Sequence, residues 1–294
     1  MDIVEFLYAN KRFNEIVRRV MIGMRLYYPY NIMYMRKIRK ISPPPEFVTD
    51  AREYYEKNGY RAEKVCEFLA DEKSKDTYTK LINLRQSYEK KDIPKYNYFD
   101  QYFPIDIPAF SERWSGGEVF VDCGAFNGDI DDAFAKRVKD YSKIFAFEPD
   151  RKNIAELEKR KQTIINLHIV RAASSDHEGI LRFSEQKKSG SSHVVEGEHT
   201  SDEIEVSCTT IDKVLNGGKC DFIKMDIEGA EWEALHGAAD TIKKYRPKLA
   251  ISIYHRDDDM IRIPEYIHDL VPEYKLYVRA HTMGTTETIL YALV

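Results

Sequence analysis

Three short runs of this 294-residue sequence hold the residue types from which a ligand site can be built. The first, Val119-Phe120-Val121-Asp122-Cys123-Gly124-Ala125-Phe126-Asn127-Gly128-Asp129, reads as a buried strand with an acid at its carboxyl end and a glycine turn opening a helix. In open α/β sheets a nucleotide-type ligand lies over such a turn, outside the carboxyl ends of the strands. The second run, Phe145-Ala146-Phe147-Glu148-Pro149, sets an acid 24 residues after Gly124, near the spacing of about 20 at which these folds present an acid to ribose hydroxyls. Alternatively, Glu148 is only a carboxylate at the start of the helix that Pro149 and Asp150 open. The third run, Asp221 to Trp232, places Lys224, Asp226 and Glu228 at alternate positions, so a strand leaving toward the ligand would carry all three on one side.

A dinucleotide would need G-x-G-x-x-G, but those positions hold Asp122, Gly124 and Asn127, so a pyrophosphate site is disfavoured. S-adenosyl-L-methionine has no phosphate and carries an ammonium and a sulfonium. Carboxylates such as Asp122 suit it better than a bare helix N-terminus does. Methyl transfer rests mainly on holding acceptor, methyl carbon and sulfur in line and dry.

A hydroxyl acceptor must also lose a proton, and His255 and Glu228 are the candidate bases. His255 leads, because an ordinary imidazole titrates near 6.5 while an exposed glutamate is a weak base. Lys224 would keep Asp226 and Glu228 ionised, and Glu228 would then orient the acceptor hydroxyl. Asp226, Glu228 and His255 could alternatively hold a divalent cation, although no tight ligand cluster is visible and no metal is assigned.

The elements positioning these residues read as alternating strands and helices: Val119–Cys123, Lys143–Phe147, Ile164–Ala173, Asp221–Met225, Lys248–Tyr254, Tyr274–Arg279 and Thr288–Ala292. Such alternation predicts an α/β fold with a mostly parallel sheet covered by helices on both faces. Only Ala280–Glu287 separates the last two strands, too little for a helical crossover, so they should be antiparallel. Upstream, Phe47 to Lys91 reads as two or three short helices, one ending at the Asn58-Gly59 cap signal. The aromatic and proline-rich stretch from Tyr96 to Phe110 should fold over the catalytic domain. The expected division is a basic helical arm and proline linker over 1–45, a helical cap over 46–115, and a catalytic domain over 116–294.

Together, the D-x-G-A-x-x-G-D turn, Phe147-Glu148-Pro149, Lys224-Met225-Asp226-Ile227-Glu228-Gly229-Ala230-Glu231 and Ile253-Tyr254-His255 resemble the FkbM family of methyltransferases, over roughly Gln101 to Val294. The resemblance implies a seven-stranded Rossmann-like domain that binds S-adenosyl-L-methionine and methylates a hydroxyl, often on a sugar or small natural product. It also implies that Asp122, Gly124, Ala125, Phe126 and Gly128 cradle the methionine half, with Glu148 on the ribose. Ala172-Ala173-Ser174 would lie near the adenine, and Asp226 would face the methionyl amine or the acceptor. A degenerate cofactor-binding module and a nucleotide-linked oxidoreductase are the competing readings.

The formal net charge of −4 argues against a general nucleic-acid binder. It is unevenly spread: residues 11–40 carry nine basic side chains against Glu15 alone. Mixed with Met, Ile and Tyr, this arm reads as a solvated or dimer-forming helix face, or as a helix lying on an anionic membrane surface. The acidic start at Asp2 and Glu5 and four scattered cysteines suggest a cytoplasmic protein with reduced thiols.

Overall fold

The computed structural model describes residues 51–87, 90–97, 101–107, 110, 114–185, 192–194, 203–282 and 284–294. The basic arm and its expected membrane or dimer contact lie outside the described residues. No helix among the described residues is long and apolar enough to cross a membrane.

Seven strands form the central sheet: β1 (Val119–Cys123), β2 (Lys143–Phe147), β3 (Leu167–Val170), β8 (Phe222–Met225), β9 (Lys248–Ser252), β10 (Lys275–Ala280) and β11 (Thr288–Leu293), in the order β10-β11-β9-β8-β1-β2-β3. The β1–β2, β2–β3, β1–β8 and β8–β9 pairs are parallel, whereas β11 lies antiparallel to both β9 and β10. This is the expected Rossmann-like α/β sheet with its antiparallel last strand. The β1–β8 boundary is where the strand order reverses, the place such folds leave open to a ligand.

Period-two burial builds a core on each face. Val121, Ile223 and Ile251 join one cluster, while Phe120, Phe222 and Ala250, one position away, join the other. In the second, Phe222 stacks on Phe120 at 4.8 Å between ring centroids and meets Phe110 edge-on at 5.9 Å. The aromatic stretch before β1 therefore packs across the sheet: Tyr102, Phe103, Ile107 and Phe110 are all buried.

Two helices precede this stretch, α1 (Arg52–Phe68) and α2 (Glu72–Ser87). α1 runs through Asn58-Gly59 instead of stopping there, because Tyr55, Ala62 and Val65 bury on one side across that point. A continuous apolar face outweighs the cost of one mid-helix glycine, about 1 kcal/mol. Both helices share the first core with the sheet, and Arg279 of β10 ties them down by pairing with Asp71 at 2.7 Å.

A second sheet was not foreseen. β4 (Ala173–Ser174), β5 (Gly179–Glu185), β6 (Ser192–Val194) and β7 (Glu203–Thr209) form it in the order β4-β7-β5-β6. The strand expected over Ile164–Ala173 is consequently shorter, with Ala173 belonging to the second sheet.

Candidate active site

The glycine turn is shaped by contact with the end of β8. Gly124 has φ +79, and a Cβ there would stand 2.0 Å from the Asp226 carbonyl oxygen. Only glycine meets both demands. Gly124 and Ala125 donate their amides to the Phe147 carbonyl, each at 3.1 Å, which fastens the turn to the end of β2. Gly128, with φ +79, caps α3 (Asp129–Arg137). Phe126, between them, takes φ +50 and is 59% exposed.

Glu148 sits where the sequence places it, at the end of β2. Its Oε2 accepts from Phe126 N at 2.9 Å and its Oε1 from Asp150 N at 2.8 Å. The capping role belongs to Asp150, whose side chain accepts from Lys152 N and Asn153 N at the start of α4 (Arg151–Arg160). Burial raises the Glu148 pKa, against the pull of the two amides. The Asn153 side chain adds a third hydrogen bond to the carboxylate.

Asp122 and Lys224 are buried beneath the glycine turn. Lys224 Nζ lies 2.9 Å from Asp122 Oδ1 and donates to the carbonyls of Gly124 at 2.8 Å and Cys123 at 3.2 Å. Asp122 has no exposed surface and Lys224 only 2%. Asp122, expected on the methionine half, lies instead buried beneath the turn in a pair with Lys224. Lys224, expected to keep Asp226 and Glu228 ionised, lowers the Asp226 pKa from there, while the charges acting on Glu228 are those of His255, Asp226 and Glu231. Asp131 of α3 completes the group, and burial followed by the charge of Asp122 pushes its carboxyl well above the usual range. One ammonium and two carboxyls are neutral only while Asp131 keeps its proton, the arrangement a water-free interior favours.

Asp226 is the hub of the site. Its Oδ2 accepts from the Tyr102 hydroxyl at 2.7 Å, and its Oδ1 from Ser252 Oγ at 2.9 Å and the Tyr254 hydroxyl at 3.2 Å. Burial would raise its pKa, but Lys224, His255 and the hydroxyls outweigh that and hold it below the ordinary value. His255, three residues past β9, sits with its side chain 9% exposed among carboxylates. Its Nδ1 lies 2.9 Å from Glu231 Oε1, and its Nε2 lies 3.5 Å from Asp226 Oδ1 and 3.6 Å from Glu228 Oε2.

Burial works against the charged imidazole, yet Glu231, Asp226 and Glu228 together raise its pKa to about 10. The expectation of His255 as an ordinary neutral base is therefore corrected, since both ring nitrogens are turned to carboxylates of its own chain. Glu228, in contrast, is 47% exposed on a turn with φ +56, and burial raises its pKa.

Several site residues were not singled out from the sequence. Tyr102 was read only as part of a covering segment, and Glu231 and Tyr254 only as letters of a motif. Glu287, with φ +51, precedes β11 and accepts from Gln101 Nε2. Because β11 runs against its neighbours, its amino end meets the carboxyl ends of the parallel strands. The buried Ala173 lies in β4.

The family model of the methyltransferase FkbM domain matches residues 122–275, more than half of the chain. The chain belongs to the FkbM methyltransferase family. It is similar to the solved FkbM methyltransferase of Methylobacillus flagellatus KT, with 26% identity and a TM-score of 0.68 over 83% of this chain and 60% of that one. This FkbM chain thus spans about 60% of that protein's length. An rRNA methylase from Streptococcus thermophilus matches at 14% identity and TM-score 0.40, over 60% of this chain and 87% of that chain. Aeropyrum pernix fibrillarin, solved with natively bound S-adenosyl-L-methionine, matches at 9% and 0.36, over 60% and 67%. Among curated proteins none matches.

Proposed function

We propose that the chain transfers a methyl group from S-adenosyl-L-methionine to a hydroxyl of a sugar, glycan or small metabolite. The observation that carries this reading is Glu148 at the carboxyl end of β2, fastened to the glycine turn through Phe126 N. A carboxylate so placed suits the two ribose hydroxyls, and the turn from Gly124 to Gly128 would receive the methionine half. Asp226, Glu228, Glu231 and Glu287 surround the single imidazole of His255. That excess of negative charge favours a cationic cofactor.

When bound, the cofactor supplies a methyl group on a positively charged sulfur. The chain's own part is to position and to accept a proton. Tyr102, Ser252 and Tyr254 fix Asp226 in one orientation, so its charge is preorganised. Glu228 accepts the proton that the acceptor hydroxyl loses, because its carboxylate is the exposed one in the cluster and burial has raised its pKa toward a useful base. His255 holds Glu228 and Asp226 in register. Tyr102, buried against Asp226, closes one side of the site.

Calorimetry should show S-adenosyl-L-methionine or S-adenosyl-L-homocysteine binding and NAD failing to bind; the reverse result removes this reading. Incubating cell extract with methyl-labelled cofactor, followed by mass spectrometry, identifies the acceptor. Binding without any transfer would instead make the chain a cofactor-binding module.

A further inference from the structure

Glu231 is a carboxylate with no exposed surface, and a buried acid is costly unless donors match its oxygens. It opens the short helix Glu231–His236 and turns back on the loop that leaves β8. Its Oε1 accepts from Ile227 N at 2.9 Å and its Oε2 from Gly229 N at 3.0 Å. Those two amides flank Glu228. The same Oε1 lies 2.9 Å from His255 Nδ1. Building on the methyltransferase reading with Glu228 as the base, we propose that Glu231 is a positioning residue for the transfer, fixing the Glu228 turn and the His255 ring in one arrangement.

The turn needs such a fastening. Glu228 has φ +56 and Gly229 φ +97, and a residue with a side chain keeps the left-handed conformation only where its surroundings impose it. One carboxylate gripping the amides on both sides of Glu228 supplies that constraint. The turn has little room to shift, since a Cβ on Gly229 would come within 3.3 Å of Arg256 Nε and 3.7 Å of His255 Cβ. Arg256 N in turn donates to Asp259 Oδ2 at 2.8 Å. The His255 ring is thereby held with Nε2 toward Asp226 Oδ1 and Glu228 Oε2, at 3.5 and 3.6 Å.

Glu231 is not itself the base, because each of its oxygens accepts an amide and neither reaches the surface. It acts through Glu228 and His255, and charge adds a second link between them. The acids around the ring are Glu231, Asp226 and Glu228, with Glu287 beyond them. Tyr254 lies against the ring at 4.1 Å between centroids, and Lys224 acts on Asp226 from beneath. Burial opposes the charged imidazole, and Glu231 contributes most to keeping it charged. Burial raises the Glu228 pKa, the imidazole charge lowers it, and Asp226 and Glu231 raise it less strongly. Removing the Glu231 charge therefore lets His255 lose its proton at lower pH, and Glu228 then keeps its own proton to higher pH.

The test compares Glu231→Gln with wild type in the full chain. Glutamine keeps the shape, removes the charge and sets an NH2 donor against one of the two backbone amides. Calorimetry should show S-adenosyl-L-homocysteine affinity nearly unchanged. Methyl transfer from labelled cofactor into cell extract should fall about tenfold or more at neutral pH, and the acid limb of its pH profile should move up by about one unit. A side chain that only supported the fold would lower the rate and leave the limb in place. That outcome overturns the proposal, as do an unchanged rate and profile in the folded variant. If Glu231→Gln does not fold, an NMR titration of the wild-type His255 imidazole decides. A ring still protonated at about pH 8 upholds its pairing with Glu231, and one titrating near its ordinary value of about 6.5 overturns it. Wild type that transfers no label removes the methyltransferase reading and this role with it, whereas normal transfer by both proteins removes the role alone.

Discussion

The Tyr102 hydroxyl donates to Asp226 Oδ2 at 2.7 Å, joining residues 124 apart in the chain. The bond brings the segment before β1 onto the carboxyl end of β8, so the site is closed by a part of the chain that lies outside the 122–275 match to the family. Burial, followed by the charge of Asp226, drives the Tyr102 pKa well above its ordinary value, so Tyr102 stays a donor throughout the working range.

Tyr102→Phe should keep the fold and lose function. A hydrogen bond to a charged group is worth about 1.5–3 kcal/mol, so methyl transfer from labelled cofactor should fall about 10- to 100-fold. The melting temperature should move by only a few degrees. A variant with unchanged turnover would show that Asp226 needs no orientation from this side.

Glu148→Gln should weaken S-adenosyl-L-homocysteine binding by about tenfold or more, because the ribose hydroxyls would lose a charged acceptor. Calorimetry measures this directly. Equal affinity in wild type and variant would reduce Glu148 to a fastening for the glycine turn.

Lys224→Met should be severe. It leaves Asp122 charged and without its partner in a site with no exposed surface, and breaking a buried pair from one side costs about 3–5 kcal/mol. Urea unfolding should show that loss, and Lys224→Met with Asp122→Leu should recover much of it. A single variant as stable as wild type would mean that the pair adds nothing to the fold.

Acid should loosen the fold through His281. Its Nδ1 donates to the Asn97 carbonyl at 2.6 Å and its Nε2 accepts from the Tyr291 hydroxyl at 2.8 Å. That hydroxyl also accepts from Tyr102 N at 3.0 Å. Burial lowers the His281 pKa to about 4, against the Asn97 carbonyl and Asp106 and together with Lys73 and Arg279. Because the unfolded imidazole titrates near 6.5, the unfolded chain takes up the proton first as pH falls. The stability contribution is complete above about pH 6.5 and is lost on the way down to about pH 4, a change of about 3 kcal/mol. Denaturant midpoints across that interval should fall, and His281→Gln should flatten the slope.

Much of the frame is legible in local sequence. Val119–Cys123 and Lys143–Phe147 are readable to the residue, because largely buried parallel strands are short apolar runs bounded by turns. The glycine turn and Glu148 are readable from residue type and position at strand ends, although the contacts that require them come from Asp226 and Phe126, and the short Ala280–Glu287 link dictates an antiparallel end. The second sheet escaped because its polar strands lack that apolar signature, and Asn58-Gly59 misled because a cap signal says nothing about the face that α1 buries.

The roles inside the site were decided by the tertiary structure. Alternation along a strand puts Lys224 and Asp226 on one side, but it cannot say that Lys224 also meets Asp122 of the neighbouring strand. The sequence shows a histidine beside a run of acids. Only packing sets Glu231, Asp226 and Glu228 around its ring, and charge at distances of 2.9–3.6 Å decides its protonation. Tyr102 and Glu287 reach the site from beyond the motifs, one by a segment laid across the sheet and one by a strand running backwards, and long-range contacts of that kind leave no local pattern to read.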